Sequence, residues 1–167
     1  MSFSPVPAYL FRDLTDIPAE FLEEIGIKFL MLDLDNTVAA YSEKSLAESV
    51  ASWSKRVAQH GVRMFIVSNS TRDKRVETFA QALGVGFVIS ASKPSPKAVL
   101  RTIMESGFDQ SESALVGDQV FTDALAANRA GITSIIVRPK RFTNPFLALR
   151  YALEAPFRAM CGNKMFR

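Results

Sequence analysis

The chain has 167 residues and a mass of 18.4 kDa, and hydrophobic residues make up 48% of it and charged residues 22%. This size and balance are typical of a single globular domain and exclude disordered, collagen-like and low-complexity classes. One cysteine, Cys161, excludes an intramolecular disulfide framework, and one histidine, His60, excludes zinc sites built from cysteine and histidine clusters. No stretch approaches the roughly 18 apolar residues that span a bilayer, and we expect no secretory signal.

Charge is distributed unevenly along the chain. The net charge is +3, yet from residue 138 onward the sequence contains a single acidic residue, Glu154. The same segment contains the basic residues Arg138, Lys140, Arg141, Arg150, Arg158, Lys164 and Arg167. Such an asymmetry indicates an anionic partner, either a membrane surface or a nucleic acid.

Short apolar runs alternate with amphipathic stretches over most of the chain. In chain order, the patterns predict strand 28–34, helix 45–60, strand 62–67, helix 72–83, strand 86–89, helix 96–106, strand 114–116, helix 120–130 and strand 133–137. Strands that alternate with helices of this length indicate βαβ units. We therefore predict an α/β fold, with a parallel sheet and helices on both of its faces.

Two carboxylates follow the first of these strands. Ligand sites in open parallel sheets form at the carboxyl ends of the strands, and Asp33 and Asp35 stand there, two residues apart. Residues at this spacing in an extended chain point the same way, and two such carboxylates favour a cation between them. Magnesium suits such a pair, because it binds carboxylates and phosphate oxygens together. The alternative is a solvated turn after a strand.

Polar residues also follow the second and third strands. Ser68 and Asn69 offer a hydroxyl and backbone amides to phosphate oxygens, although this segment is also suited to capping the next helix through Ser70 or Thr71. Lys93 precedes a proline after the third strand and can neutralise a phosphoryl group. The alternative for Lys93 is an exposed loop lysine.

Two further carboxylates follow the fourth strand. Asp118 is suited to completing a magnesium site, and Asp123 to binding a metal-bound water or orienting Lys93. The alternative is a carboxylate that favours the positive end of a helix dipole, and it fits Asp123 better than Asp118.

Taken together, these segments resemble the haloacid dehalogenase (HAD) phosphohydrolase superfamily. The resemblance covers residues 28–123 and consists of DLDNT, a serine after the second strand, Lys-Pro after the third, and GDQ with TD after the fourth. The stretches GIKFLMLDLDNT, IVSNS, SKPSPKA, VGDQVFTDALAANRAG and IIVRP are similar to the YqeG subgroup of class III HAD phosphatases. That subgroup more often has asparagine at the position of Ser70. The resemblance implies a Rossmann-like HAD fold.

The resemblance also implies a role for each site residue. Asp33 would be the nucleophile that forms an aspartyl-phosphate, and Asp35 the general acid and base. Ser68 and Asn69 would bind the phosphoryl group, and Lys93 would balance its charge. Mg²⁺ would be bound by Asp33, the backbone carbonyl of Asp35, and Asp118, with Asp123 in a supporting position.

The spacing of the motifs leaves no room for the cap domain that many HAD phosphatases carry. Residues 35–68 can hold little beyond one hairpin and one helix, and residues 68–93 one helix and one strand. We therefore predict one capless hydrolase domain over residues 1–167. Its core would extend over about residues 26–140, followed by a basic, helical C-terminal tail over about residues 141–167.

The tail has two possible positions. Within a helix predicted over residues 144–160, Arg150, Glu154 and Arg158 share one face, and the remaining surface is rich in leucine and phenylalanine. Such a helix either packs on the sheet or lies on a bilayer surface, and Pro156 disfavours one long interfacial helix.

Members of the resembled subgroup include phosphatidylglycerophosphate phosphatases. The resemblance therefore implies a magnesium-dependent phosphomonoester hydrolase that acts on this lipid headgroup in phospholipid synthesis. Its expected location is the cytoplasm, with peripheral attachment to the inner face of the membrane as a hypothesis for the tail. A soluble phosphatase for nucleotides or sugar phosphates is the first alternative. The second alternative is a non-catalytic module whose basic tail binds RNA, although nucleic acid is not the expected partner. The sequence does not determine whether the protein forms an oligomer.

Overall fold

The computed structural model describes residues 4–142 and 145–165. Its strands are β1 (Tyr9–Leu10), β2 (Phe29–Leu32), β3 (Arg63–Val67), β4 (Gly86–Val88), β5 (Ser113–Gly117), β6 (Thr133–Ile136) and β7 (Asn163–Lys164). Within these described ranges the strands form one sheet in the order β4-β3-β2-β5-β6-β1-β7, and every neighbouring pair is parallel. The central strand β2 therefore lies between β3 and β5.

The helices fill the connections between the strands. They are α1 (Ala19–Glu24), α2 (Glu48–Gln59), α3 (Asp73–Leu83), α4 (Lys97–Ser106), α5 (Leu125–Ala130), α6 (Pro145–Leu153) and α7 (Ala155–Met160). The connection from β2 to β3 contains a loop and α2, and the connection from β3 to β4 contains α3. Neither of these connections, which are described throughout, contains an inserted domain.

Both faces of the sheet are covered by helices, which is why β2 is apolar at every position. Leu30 and Leu32 pack into a core cluster with side chains of α1, α2 and α3. Phe29 and Met31, which point the opposite way, pack with side chains of α4 and α5. This arrangement confirms the predicted α/β fold, the parallel sheet and the helices on both faces.

The sheet extends beyond the strands predicted from the sequence. β1 pairs with β6 and β7, and both of its pairings are parallel. Strands of two residues are too short to show an apolar periodicity, so the sequence pattern did not indicate them. The sheet thus includes residues on either side of the range 26–140 in which we placed the core.

Two predicted helices differ from the structure. The helix predicted over residues 120–130 begins with a π-helical turn, Val120–Ala124, within which the Asp123 carboxylate accepts a hydrogen bond from the Gln119 amide at 3.1 Å. The helix predicted over residues 144–160 is two helices that meet at Glu154, because Pro156 has no N–H with which to continue α6. Residues 143, 144, 166 and 167 of the predicted tail lie outside the described residues.

The C-terminal part of the chain packs on the sheet through a small apolar cluster, against which Phe157 of α7 lies. Cys161, which follows α7, is buried with Leu10 of β1 and Ile136 of β6. None of the helices in the described part of the chain combines the length and the apolar character that crossing a membrane requires.

Candidate active site

The polar residues that follow the central strands meet in or directly beside one cleft at the carboxyl edge of the sheet. Asp33 follows β2, Ser68 follows β3, Asp118 follows β5, and Lys93 lies in the loop after β4. The cleft has a volume of about 280 Å³ and is lined by Asp33, Asp35, Tyr41, Ser68, Asn69, Ser70, Thr71, Arg72, Lys93, Gln119, Thr122 and Asp123. The topology explains the convergence, because β3, β2 and β5 are adjacent and parallel.

Lys93 is buried between two carboxylates. Its Nζ atom lies 2.7 Å from Asp33 Oδ1 and 2.7 Å from Asp123 Oδ1, and it also donates to the Val67 carbonyl at 2.8 Å. The side chain of Lys93 is 1% exposed. Three acceptors therefore hold the ammonium group in a fixed position, and the alternative of an exposed loop lysine is excluded.

Asn69 fixes the backbone from which Lys93 extends. Its side-chain nitrogen donates to the Lys93 carbonyl at 2.9 Å, and its side-chain oxygen accepts from the Lys93 amide at 2.8 Å. This paired arrangement connects the loop after β3 to the loop after β4. The position of the ammonium group therefore depends on two neighbouring loops.

Three buried carboxylates surround this ammonium group. Asp33, Asp118 and Asp123 each offer one oxygen, and these atoms all lie within 4.8 Å of one another. Burial raises the pKa of Asp33 to about 7 despite the opposing effect of Lys93. Burial, reinforced by the charges of Asp33 and Asp123, also raises the pKa of Asp118 well above its usual value.

The carboxylate cluster fits a divalent cation. Asp118 Oδ1 is buried and has no hydrogen-bond partner among the described residues. One ammonium group cannot balance three carboxylates, and an unsatisfied carboxylate oxygen in a buried position is costly unless a cation contacts it. Oxygen ligands of this kind are those that Mg²⁺ prefers.

The side chain of Asp35 is directed elsewhere. Asp35 Oδ1 accepts a hydrogen bond from Arg75 Nε at 3.0 Å, and both side chains are 14% exposed. Its carboxylate is not part of the Asp33, Asp118 and Asp123 group, whereas Asp123, which the sequence placed in a supporting position, belongs to it. Asp35 nevertheless lines the same cleft.

The segment after β3 lines the cleft with small polar residues. Ser68 is buried, and its hydroxyl accepts from the Ser70 amide at 3.1 Å. The helix that follows begins without a side-chain cap, and Arg72 occupies the N-cap position. The predicted capping of this helix by Ser70 or Thr71 is therefore wrong, because the Ser70 hydroxyl instead accepts from the Arg72 amide before the helix begins.

Sequence patterns did not indicate two of the residues that meet at the site. Arg75 lies in the first turn of α3, where an arginine usually faces solvent, and no motif distinguishes it. Tyr41 lies in the loop after β2 and lines the cleft. Burial and the nearby Asp35 carboxylate raise the pKa of the Tyr41 hydroxyl.

The helix α6 contacts the loops of the site. Glu154, which is buried between α6 and α7, accepts a hydrogen bond from the Phe121 amide at 3.0 Å and pairs with Arg150 of α6 at 3.5 Å and Arg158 of α7 at 3.3 Å. Phe121 belongs to the π-helical turn that carries Asp123. Asn36 and Asp118 share a small cavity with Leu147 and Arg150 of α6. One side of α6 thus contacts the site, and its other side is exposed.

The parallel sheet with a buried lysine and aspartate cluster at its carboxyl edge defines a phosphatase of the HAD type. A family model described as mitochondrial PGP phosphatase matches residues 4–140, and the chain belongs to this family. A HAD-type phosphatase is a phosphoric monoester hydrolase, and the chain is therefore an enzyme of that class.

Two curated proteins show the relationship in sequence. The chain is 30% identical over 142 residues to a probable phosphatase, YqeG, of Bacillus subtilis (strain 168), with 85% of this chain and 82% of the relative covered. It is 26% identical over 159 residues to phosphatidylglycerophosphate phosphatase 1, chloroplastic/mitochondrial, of Arabidopsis thaliana, with 85% of this chain and 43% of the relative covered.

Solved structures confirm the fold. The 3-deoxy-D-manno-octulosonate 8-phosphate phosphatase of Moraxella catarrhalis, in complex with magnesium, phosphate and KDO, superposes with a TM-score of 0.56 at 16% identity, over 89% of this chain and 82% of that one. The cobalt-bound phosphatase YrbI of Haemophilus influenzae superposes with a TM-score of 0.53 at 21% identity, over 68% of each chain.

Proposed function

We propose that this phosphatase hydrolyses phosphatidylglycerophosphate with Mg²⁺ and through an aspartyl-phosphate on Asp33. The observation that carries the mechanism is the position of the Asp33 carboxylate. It lies 2.7 Å from Lys93 Nζ at the base of an open cleft and beside the unpartnered Asp118 carboxylate oxygen. A nearby ammonium group favours the ionised form of a buried carboxylate, and the ionised form is the nucleophile.

The proposed reaction has two displacement steps. In the first, an Asp33 oxygen forms a bond to phosphorus, the bond from phosphorus to the leaving oxygen breaks, and Asp35 gives that oxygen a proton. In the second, Asp35 removes a proton from a water molecule that attacks the phosphorus, the bond to Asp33 breaks, and phosphate is released. Ser68 and Asn69 bind the phosphoryl oxygens, and Lys93 balances their charge.

The carboxylates of Asp33 and Asp118 and the backbone carbonyl of Asp35 would hold Mg²⁺, with Asp123 in support. When bound, Mg²⁺ neutralises charge on the carboxylates and on the phosphoryl oxygens. The donor set and the buried, unpartnered oxygen of Asp118 support this assignment.

The proposed lipid substrate is supported by the site's surroundings. The Arabidopsis relative is named for this substrate. The cleft is open, and α6, which contacts the loops of the site, exposes Phe146, Leu149 and Leu153 at helical spacing. Basic residues are concentrated in the same part of the sequence. We propose that this apolar face contacts a bilayer and that the enzyme is peripheral.

We also propose that the chain forms a single hydrolase domain, since β1 and β7, from opposite ends of the described chain, lie in the same sheet as β2. In this arrangement the C-terminal helices have two surfaces with different contacts. One packs against the core, and the other faces the membrane.

A phosphate-release assay tests the proposed substrate. Purified enzyme with Mg²⁺ is given phosphatidylglycerophosphate in mixed micelles, a nucleoside monophosphate and a sugar phosphate. We expect the highest kcat/KM on the lipid. Efficient hydrolysis of a nucleotide or sugar phosphate with none of the lipid would contradict the lipid assignment and support the soluble-phosphatase alternative, whereas no hydrolysis of any ester would support the non-catalytic one.

A further inference from the structure

We infer that Arg75 is a positioning residue that holds Asp35 in place for proton transfer, an inference that rests on the proposed function. The guanidinium of Arg75 reaches from the first turn of α3 to the loop after β2. Its Nε donates to Asp35 Oδ1 at 3.0 Å, its Nη2 donates to the Ala40 carbonyl at 2.8 Å, and its Nη1 donates to the Glu43 carbonyl. All three nitrogens therefore bind the loop that carries Asp35.

The geometry of this contact is suited to fixing a side chain. The guanidinium carbon of Arg75 lies 4.9 Å from the centre of the Phe79 ring, one helical turn further along α3. The loop is also closed on itself, because the Glu43 carboxylate accepts from the Ala40 amide at 2.7 Å. A planar group with three bonded nitrogens and a ring against it has few alternative positions. The carboxylate that it binds is restrained to the same degree.

The position of Arg75 connects the two halves of the proposed chemistry. Asp35 belongs to the loop after β2, whereas the phosphate-binding segment after β3 leads directly into α3. By spanning these two elements, Arg75 fixes the distance between Asp35 and that segment. Proton transfer requires the acid within hydrogen-bond reach of the leaving oxygen, so a small displacement of Asp35 has a large effect on rate.

Arg75 occupies one oxygen of the carboxylate, Oδ1. We assign proton transfer to the other oxygen, Oδ2. In the first step the proton on Oδ2 passes to the leaving oxygen, and in the second step Oδ2 accepts a proton from the attacking water. Arg75 keeps its own protons in both steps and does not touch the reacting atoms.

Leaving-group dependence distinguishes a positioning role from a structural one. A nitrophenolate leaves without protonation, whereas an alkoxide such as that of glycerol phosphate requires a proton. The test compares 4-nitrophenyl phosphate with glycerol phosphate for the wild type, Arg75→Gln and Arg75→Lys. The matched control is Lys74→Gln, which changes an exposed cation in the same helical turn.

For Arg75→Gln we expect kcat on glycerol phosphate to fall by about 10²–10⁴-fold, which is the range that general acid catalysis contributes. On 4-nitrophenyl phosphate we expect a rapid release of about one nitrophenolate per active enzyme followed by slow turnover, because only the second step still needs Asp35. Arg75→Lys should recover part of the rate, and Lys74→Gln should match the wild type.

Equal losses on both esters, with no rapid phase, would overturn the inference and leave Arg75 a purely structural residue. The amplitude of the rapid phase counts active molecules. A partly unfolded variant therefore lowers that amplitude without changing the ratio of the rates on the two esters. If Arg75→Gln does not fold at all, the ratio of the rates on the two esters is measured for Arg75→Lys instead. Failure of the wild type to form a phosphoenzyme that borohydride traps on Asp33 would refute the proposed function itself, independently of Arg75.

Discussion

The carboxylate of Asp123 lies directly against the backbone of Gly117. A Cβ atom at position 117 would stand 2.2 Å from Asp123 Cγ and 2.4 Å from Asp123 Cβ, which is closer than such atoms approach. The absence of a side chain at Gly117 thus allows Asp123 to lie beside the end of β5 and to reach Lys93 at 2.7 Å. The GDQ motif therefore has a glycine at position 117 because any larger residue would collide with the Asp123 side chain.

This contact predicts that Gly117→Ala displaces Asp123 and, through it, Lys93. We expect a loss of about 1–3 kcal/mol in the free energy of unfolding, which is typical of overpacking, and a fall in kcat of about 10²-fold, since misplacement by about 1 Å has effects of that size. Denaturant titration and steady-state kinetics measure the two quantities. Gly162→Ala, at an open position, is the control. A Gly117→Ala enzyme with wild-type kcat would contradict the steric argument.

Replacement of the proposed nucleophile tests the mechanism. We expect Asp33→Asn to lower kcat by at least about 10⁴-fold, as removal of a nucleophile does in other enzymes, because an amide is a poor nucleophile. The fold should persist, since the amide has the size of the carboxylate and lacks its buried charge. Circular dichroism checks the fold, and mass spectrometry checks that the asparagine has not deamidated. Substantial turnover in an intact Asp33→Asn protein would exclude Asp33 as the nucleophile.

Lys93 is expected to be important for stability as well as for activity. Lys93→Met removes the ammonium group between Asp33 and Asp123, and breaking a buried pair in this way costs about 3–5 kcal/mol. Lys28→Met removes an exposed lysine that pairs with Glu112, and we expect no large change there. Denaturant titration without added metal compares the two. A similar small loss for both variants would show that the buried ion pairs contribute little.

Magnesium should stabilise the protein more at high pH than at low pH. In the folded state the pKa of Asp33 is raised to about 7, so without metal the folded protein binds more protons than the unfolded chain between about pH 4 and 7. The free energy of unfolding should therefore fall as pH rises through that window. Because Mg²⁺ binds the deprotonated carboxylates, the increase in Tm on adding Mg²⁺ should be larger at about pH 8 than at about pH 5.

The control for this prediction is Asp118→Asn, which removes a charged ligand and should reduce the increase in Tm at both pH values. Differential scanning fluorimetry in buffers of equal ionic strength measures it. An increase in Tm of equal size across the pH range would contradict the assignment of these buried carboxylates to the metal.

The exposed face of α6 predicts a separation between lipid and soluble substrates. Phe146 is 69% exposed and Leu149 58% exposed, and we expect the double change Phe146→Ser and Leu149→Ser to weaken binding to anionic vesicles by about tenfold or more, equivalent to about 1.4 kcal/mol. Binding should also weaken with salt. Flotation with vesicles that contain phosphatidylglycerol measures it, and turnover of a small soluble ester should be unchanged. Met104→Ser, 76% exposed on α4, is the control. If Met104→Ser weakened vesicle binding as much as the double change on α6, the proposed membrane contact of α6 would be refuted.

The sequence by itself determined the central part of the fold and the identity of the polar residues at its edge. Apolar runs that alternate with amphipathic stretches predicted the parallel sheet, because only strands covered on both faces are apolar at consecutive positions, as in β2. In an open parallel sheet, sites form at the carboxyl ends of the strands. The strand-end rule thus predicts that Asp33, Ser68, Lys93 and Asp118 lie together.

Only the tertiary structure decided how these side chains pair. The sequence left open whether Asp123 binds a metal-bound water or orients Lys93, and it indicated no partner for Asp35; in the structure Asp123 lies against Lys93 and Asp35 against Arg75. The partner of each aspartate depends on which segments of the chain pack together in the fold. Asp35 and Arg75 are 40 residues apart, so no local sequence pattern indicates that they pair. The same holds for β1 and β7, whose two-residue strands pair with β6 and with β1 respectively, and for Glu154, whose carboxylate accepts a hydrogen bond from Phe121 in the π-helical turn. Local periodicity determines where helices and strands form, whereas long-range packing determines which side chains and strands pair.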